Sequence, residues 1–242
     1  MGNGTFIMFD GIGGSGKTTV VRAVASALAA RGARLFWQAA WEQAHGATPT
    51  LADAGDADVL LTAEPTKAWI GAAIRGELSR ADDPYGGTAA AHAFALDREI
   101  LYRRLVIPAL AAGKTVLQDR GVCTSLAYQP LMEGGLPAEE IASLPGNRLA
   151  LAHAPHVLVL VRVSPETAAR RLAARTEPAK GVYGDPVFLA RVARESYDDP
   201  AFRDRFARLG TKVLTLEAED GPEEVAASAI RLLREFLPSL RS

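Results

Sequence analysis

Apolar positions along the chain fall into two patterns, short unbroken runs and longer stretches at helical spacing. Thr5 to Asp10 is a near-continuous apolar run, as expected of a strand covered on both faces. Lys17 to Ala30 reads as a helix, closed by Arg31-Gly32 in the manner of a glycine C-cap. Further buried strands are predicted at Val59–Thr62, Thr115–Asp119, Val157–Val161 and Lys212–Leu216. Helices are predicted from about Trp69 to Leu78, from Thr88 to about Ala112, and from Pro222 to about Phe236. Pro108 should kink the second of these or end it early. Strands separated by helices predict βαβ units, and hence an α/β, three-layer fold with a central parallel sheet flanked by helices.

One stretch breaks the pattern. Arg34-Leu-Phe-Trp-Gln38 has the composition of a strand, but Ala39 to Ala57 is rich in Gly, Ala and Asp and shows no clear period. Residues 34–57 are read as an insertion, a long loop of the kind that is either functional or disordered. No polar, Pro/Gly-rich linker divides the chain, so residues 1–242 are expected to form one domain.

Composition narrows the function classes. With 27 Lys+Arg against 28 Asp+Glu among 242 residues, bulk electrostatics would not hold this chain to nucleic acid or to a membrane. Any anion must be gathered by a local pocket. The single cysteine, Cys123, excludes a disulfide scaffold and a cysteine-based zinc site. No apolar run approaches the roughly 18 residues needed to span a bilayer. Met1-Gly-Asn-Gly-Thr lacks the features of a signal peptide, so a cytoplasmic protein is expected. His45, His92, His153 and His156 are scattered and suggest no site.

The chemistry begins after the first strand. Gly11, Ile12, Gly13, Gly14, Ser15, Gly16, Lys17 and Thr18 match G-x-x-x-x-G-K-[ST] in full, between a buried strand and a helix, with Thr19 next. Backbone N–H groups in such a loop turn inward around phosphate at the positive end of the following helix. Lys17 would reach the β- and γ-phosphates of ATP, and the Thr18 hydroxyl would sit on Mg²⁺. Asp119 closes a buried strand, where its carboxylate would be placed to hold the same Mg²⁺; Arg120 beside it suits a second phosphate.

Several stretches together resemble the thymidylate kinase family. Phe6 to Thr19 resembles its phosphate-loop block, Thr62-Ala-Glu-Pro-Thr66 with Ile70 to Arg75 its T-x-E-P block and following helix, and Phe94-Ala-Leu-Asp-Arg98 its F-A-x-D-R block. Pro108 to Lys114 resembles the turn after it, and Asp119-Arg120 with Ser125-Leu-Ala-Tyr-Gln129 the D-R-Y-x-x-S-x-A-Y-Q block. The resemblance implies a P-loop kinase that uses ATP and Mg²⁺ to phosphorylate a deoxynucleoside monophosphate, most simply dTMP to dTDP. It implies that Phe94 stacks on the base and Arg98 reads its edge, while Arg75 and Arg120 hold the acceptor phosphate. Glu64, Pro65, Ser125, Tyr128 and Gln129 would line the same pocket. It also implies a lid at about 175–185, with Arg171, Arg175 and Lys180 as candidate catalytic cations beside Lys17 and Asp119, and a possible homodimer. Ordinary core packing is the alternative for Phe94 and Tyr128, and an ion pair on its own helix the alternative for Arg98.

The sequence departs from the family pattern on the acceptor side. Gly13 stands where a carboxylate is usual, Ala63 replaces the Arg of T-R-E-P, and Gly121 replaces the aromatic of D-R-Y. A different or modified pyrimidine nucleotide is therefore the alternative acceptor, and a nucleotide-binding module without turnover is a further one.

Overall fold

Six runs rich in β-branched, leucine and aromatic residues carry the sheet; the four inner ones are largely buried on both faces and the two edge ones only in part. In the computed structural model, which describes residues 4–78, 85–174 and 184–240, strand β1 is Thr5–Asp10 and is buried from its second residue onward. The others are β2 Leu35–Trp37, β3 Val59–Ala63, β4 Thr115–Asp119, β5 Val157–Arg162 and β6 Lys212–Glu217. All five pairings are parallel, in the order β2-β3-β4-β1-β5-β6. The α/β expectation therefore holds.

Register decides where the chemistry gathers. Ala63 pairs with Asp119 and Asp119 with Phe9, so β3, β4 and β1 end level with one another. Three motif-bearing loops leave from that one edge. It is the carboxyl edge of a parallel sheet, where ligands of α/β proteins bind.

Helix α1 (Lys17–Ala29) buries Lys17, Val20, Val21, Val24, Ala25 and Leu28, a stripe at three- and four-residue spacing. It packs against α12 (Pro222–Leu233) on one face of the sheet. Helix α3 (Trp69–Ala73) runs on through a π turn at Ile74–Leu78, and α4 (Gly86–Leu101) packs on α8 (Pro145–Ala152). The stretch predicted as one helix to about Ala112 is α4, a π turn at Tyr102–Val106, and α5 (Ile107–Ala111). Pro108 cannot donate a backbone bond, and the π turn immediately before it fits the break it imposes. Shorter helices complete the layers: α6 Val122–Tyr128, α7 Ala138–Ser143, α9 Pro165–Ala173, α10 Pro186–Val192 and α11 Pro200–Ala207.

The segment 34–57 corrects the expectation of a long loop. Its start is strand β2 on the sheet edge, followed directly by helix α2 (Gln38–His45), which ends at Gly46 in the left-handed conformation. Apolar periodicity misses α2 because the residues it buries are Gln38 and Glu42.

Candidate active site

The phosphate loop depends on its glycines for space. A Cβ on Gly11 would lie 2.3 Å from the Val161 carbonyl oxygen, and one on Gly14 would lie 2.4 Å from that of Ala168, with φ of 143° and 82°. The loop thus curls tightly between β5 and α9. Lys17 is 5 % exposed and folds into this curl, its Nζ donating to the carbonyls of Gly11 (3.0 Å) and Ile12 (2.7 Å) and to Ser15 Oγ (3.1 Å). Thr18 Oγ1 donates to Asp119 Oδ2 at 2.5 Å across the ends of α1 and β4. The structure therefore brings Lys17, Thr18 and Asp119 together at one sheet edge.

Behind them lies a buried polar network that joins the motifs. Arg98 is 1 % exposed; its Nη2 lies 2.6 Å from Glu64 Oε2 and donates to Ser125 Oγ at 3.1 Å, and its Nη1 donates to Asn147 Oδ1. Gln118 Nε2 donates to Glu64 Oε1 at 3.0 Å, and Thr62 Oγ1 donates to Gln118 Oε1 at 3.1 Å. Asp97 accepts from the Thr66 amide (2.8 Å) and hydroxyl (2.6 Å). Burial pushes Glu64 up to about 7 despite the opposing pull of Arg98, and raises Asp97 likewise. The ion pair of Arg98 runs to Glu64, so it is not one on its own helix. Arg98 Nε and Gln129 Oε1, a donor and an acceptor, are buried atoms without a hydrogen-bond partner in the fold.

Two other arginines stand at the rim. Arg75 donates from Nε to the Thr66 carbonyl at 3.0 Å and from Nη2 to the Pro65 carbonyl, just after the cis Glu64–Pro65 bond. Arg120 has a φ of 67°, a strained conformation for a side-chain-bearing residue that costs on the order of 1–2 kcal/mol. Its guanidinium sits 5.8 Å from the centre of the Tyr128 ring. Burial works against its charge, but Tyr128, Asp10, Tyr197 and Asp119 together raise its pKa. Asp10 is fully buried and accepts from Tyr197 Oη (2.7 Å), Thr124 Oγ1 (2.8 Å) and the Gly11 amide (2.8 Å).

The aromatic candidates part company. Phe94 is half-buried and stands outside the hydrophobic core cluster, whereas Tyr128 is a core residue at 1 % exposure. The Tyr128 hydroxyl accepts from the Gly13 amide at 2.9 Å, so the position without a carboxylate is tied to a tyrosine through its backbone. At Gly121, a Cβ would stand 2.5 Å from Met8 Cε and 2.9 Å from Gln118 Nε2. The tip of Met8 fills the space that a side chain at 121 would start from.

Sequence reading passed over one feature. A cavity of about 260 Å³ opens beside the phosphate loop, lined by Ser15, Gly16, Thr19, Val20, Ala218, Asp220, Pro222 and Val225, with Arg171 at its wall. Arg171 Nη2 reaches the carbonyls of Glu219 (3.4 Å) and Asp220 (3.3 Å). Only the pairing of β6 beside β5 brings residues 218–225 here, and no local motif marks them. Of the remaining lid residues, Arg175 and Lys180 lie outside the described residues, as does most of the segment 175–185.

The family model described as thymidylate kinase matches residues 43–228. A probable thymidylate kinase of Pyrobaculum calidifontis is 30% identical over 98% of this chain and 99% of its own length. Another, from Pyrococcus abyssi, is 32% identical over the same shares, 98% and 99%. The thymidylate kinase of Symbiobacterium thermophilum is 30% identical over 96% of this chain and 94% of its own.

Proposed function

The chain belongs to the thymidylate kinase family, and on that premise we propose that it transfers the γ-phosphoryl group of ATP to dTMP, giving dTDP and ADP. The observation that carries the reading is the meeting of the complete phosphate loop with the T-x-E-P and D-R blocks at the level ends of β1, β3 and β4.

The residues divide the work by position. Lys17 exchanges its present carbonyl partners for the β- and γ-phosphate oxygens, and the loop amides cradle the same groups. The cavity lined by Thr19, Pro222, Val225 and Arg171 fits the base of ATP, with apolar walls and a planar cation to lie against it. Thr18 and Asp119 are paired hard-oxygen donors at the loop mouth, a set that fits Mg²⁺, which prefers one or two protein oxygens beside substrate phosphates. Bound there, Mg²⁺ supplies charge neutralisation on the transferred group.

Across the site Phe94 stacks on the acceptor base, and Arg75 and Arg120 orient its phosphate by charge-assisted hydrogen bonds. The acceptor oxygen is already ionised, so catalysis rests on positioning and electrostatics rather than on a strong general base. The near balance of charge, 27 cations against 28 anions, fits a partner set of nucleotides rather than nucleic acid, and the lone buried cysteine fits the cytoplasm. No helix among the described residues is long and apolar enough to cross a membrane. A homodimer rests on family membership.

Gly13 favours a second reading, in which the acceptor is a related or modified pyrimidine monophosphate, because the usual carboxylate is absent and the Gly13 amide is held by Tyr128. Lys17→Ala tests the reading in either form: turnover falls by about a thousandfold or more with the fold kept, and robust phosphoryl transfer by that variant contradicts it.

A further inference from the structure

We propose that helix α2 of the 34–57 insertion is the positioning element of the acceptor side, with Gln38 and Glu42 fixing the 63–67 loop and, through it, Arg75. This rests on the kinase reading above. Gln38 and Glu42 lie one turn apart on α2 and are 0% and 1% exposed. Gln38 Oε1 accepts from the Ala63 amide at 2.8 Å, and Glu42 Oε2 accepts from the Lys67 amide at 2.7 Å. A bond from Gln38 Nε2 to Glu42 Oε1, 2.9 Å, locks the two side chains together.

The two amides bracket Glu64, Pro65 and Thr66. The carbonyls between them, of Pro65 and Thr66, are the acceptors for Arg75, and the Thr66 amide is held on the other side by Asp97. The geometry is a chain of support: α2 holds the loop, and the loop holds the guanidinium. On the α2 side backbone pairing cannot do this work, since β2 ends at Trp37 opposite Leu61, two residues short of Ala63, while β4 holds the other side through the Glu64 amide and the Asp119 carbonyl (3.1 Å). Gln38 continues the ladder with a side chain where the strand stops.

An insertion that served only to fill space would bury apolar groups. This one buries Ala54 and Ala57 but also, on α2, an amide and a carboxylate, which costs free energy unless each polar atom is bonded. Burial pushes the Glu42 carboxyl above its ordinary range against the opposing bonds from Gln38 and Lys67. The second half of the insertion is anchored in the same direction. Arg104 Nε donates to the Thr48 carbonyl at 2.9 Å, and its guanidinium lies 5.3 Å over the ring of Trp69 at the start of α3.

The test combines steady-state kinetics with amide hydrogen exchange of the nucleotide-free protein. In Glu42→Ala, the KM for dTMP rises about tenfold, as expected for loss of a hydrogen bond to a charged group, and Lys67 amide exchange quickens by about the same factor. The KM for ATP stays within about twofold, since that site shares no partner with α2. The exchanged pair, Gln38→Glu with Glu42→Gln, restores an acceptor to each amide and returns the KM for dTMP to near the wild-type value. Should Glu42→Ala fail to fold, Glu42→Gln, which opposes two amide NH₂ groups, takes its place beside the same exchanged pair. An unchanged KM for dTMP, equal losses for both substrates, or no rescue by the exchanged pair overturns the proposal. A wild-type protein that does not turn over dTMP contradicts the kinase reading instead. In that case unchanged Lys67 exchange in the variant still overturns the positioning claim.

Discussion

Lys17 and Phe94 show how differently single residues sit in this site. Lys17 is enclosed by its own loop and donates to three oxygens within it. Phe94 is half-buried and outside the core cluster, on the helix that also carries Asp97 and Arg98. Phe94→Ala should raise the KM for dTMP by roughly fivefold to tenfold, the worth of one aromatic stack, and leave kcat nearly unchanged. Equal falls in kcat and in thermal stability would instead mark Phe94 as a packing residue. At this scale the sequence was readable where chemistry imposes a local pattern, as in Gly11 to Thr18. Tyr128 was not, because a core aromatic and a ligand-facing one look alike until burial is known. Gly121 is similar: it reads as a lost aromatic, and only the fold shows Met8 standing in its place.

At the scale of elements, the motifs are held to one another by side chains as much as by the sheet. Glu64 after β3, Gln118 on β4, Arg98 on α4 and Asn147 on α8 form one buried network, so any break in it is felt by several elements. Above about pH 7, where Glu64 is ionised, Glu64→Gln leaves the Arg98 guanidinium buried without its counter-charge, and a loss of about 3–5 kcal/mol in stability is expected there. Its pH signature is specific. The folded-state pKa of Glu64, about 7, lies above the ordinary 4.5, so its contribution is fully present below about pH 4.5 and is lost as pH rises towards 7. Melting measured across that window should slope downward with pH in the wild type and less steeply in Glu64→Gln. Glu42 and Asp97, raised in the same direction by burial, supply the remaining slope. An unchanged slope in the variant contradicts this account.

The strands were legible as elements because each is a short apolar run, and β1, α1 and β4 were placed correctly from pattern alone. Helix α2 was not, since a helix that buries Gln38 and Glu42 carries no apolar stripe. The π turns at 74–78 and 102–106 were equally hidden, because periodicity does not distinguish a bulged helix from a straight one.

For the whole molecule, the near-zero net charge takes on a definite meaning. Arg75, Arg98 and Arg120 converge on the carboxyl edge of the sheet, while Glu64, Asp97, Asp10 and Asp119 stand among them. Nucleotides that bind the folded state should therefore stabilise it. At about a hundred times its Kd, a ligand adds about 2.7 kcal/mol, which for a chain of this size corresponds to a rise in Tm of roughly 5–10 °C. Mg·ATP and dTMP should each produce such a rise, and together more than either alone. The order of β5 and β6 was needed to bring residues 218–225 to the phosphate loop, which is why no reading of local motifs found that cavity.

On the proposed function, this edge of the sheet transfers a phosphoryl group to a pyrimidine deoxynucleoside monophosphate. The most direct measurement is ADP release from Mg·ATP with dTMP, dUMP, dCMP, dGMP and dAMP supplied one at a time. Turnover is predicted with dTMP, giving dTDP in step with ADP, and kcat/KM at least about tenfold lower for the purine nucleotides, because the proposed acceptor is a pyrimidine nucleotide stacked on Phe94. No ADP release above the acceptor-free rate with any monophosphate, from a protein that still binds ATP, would contradict it.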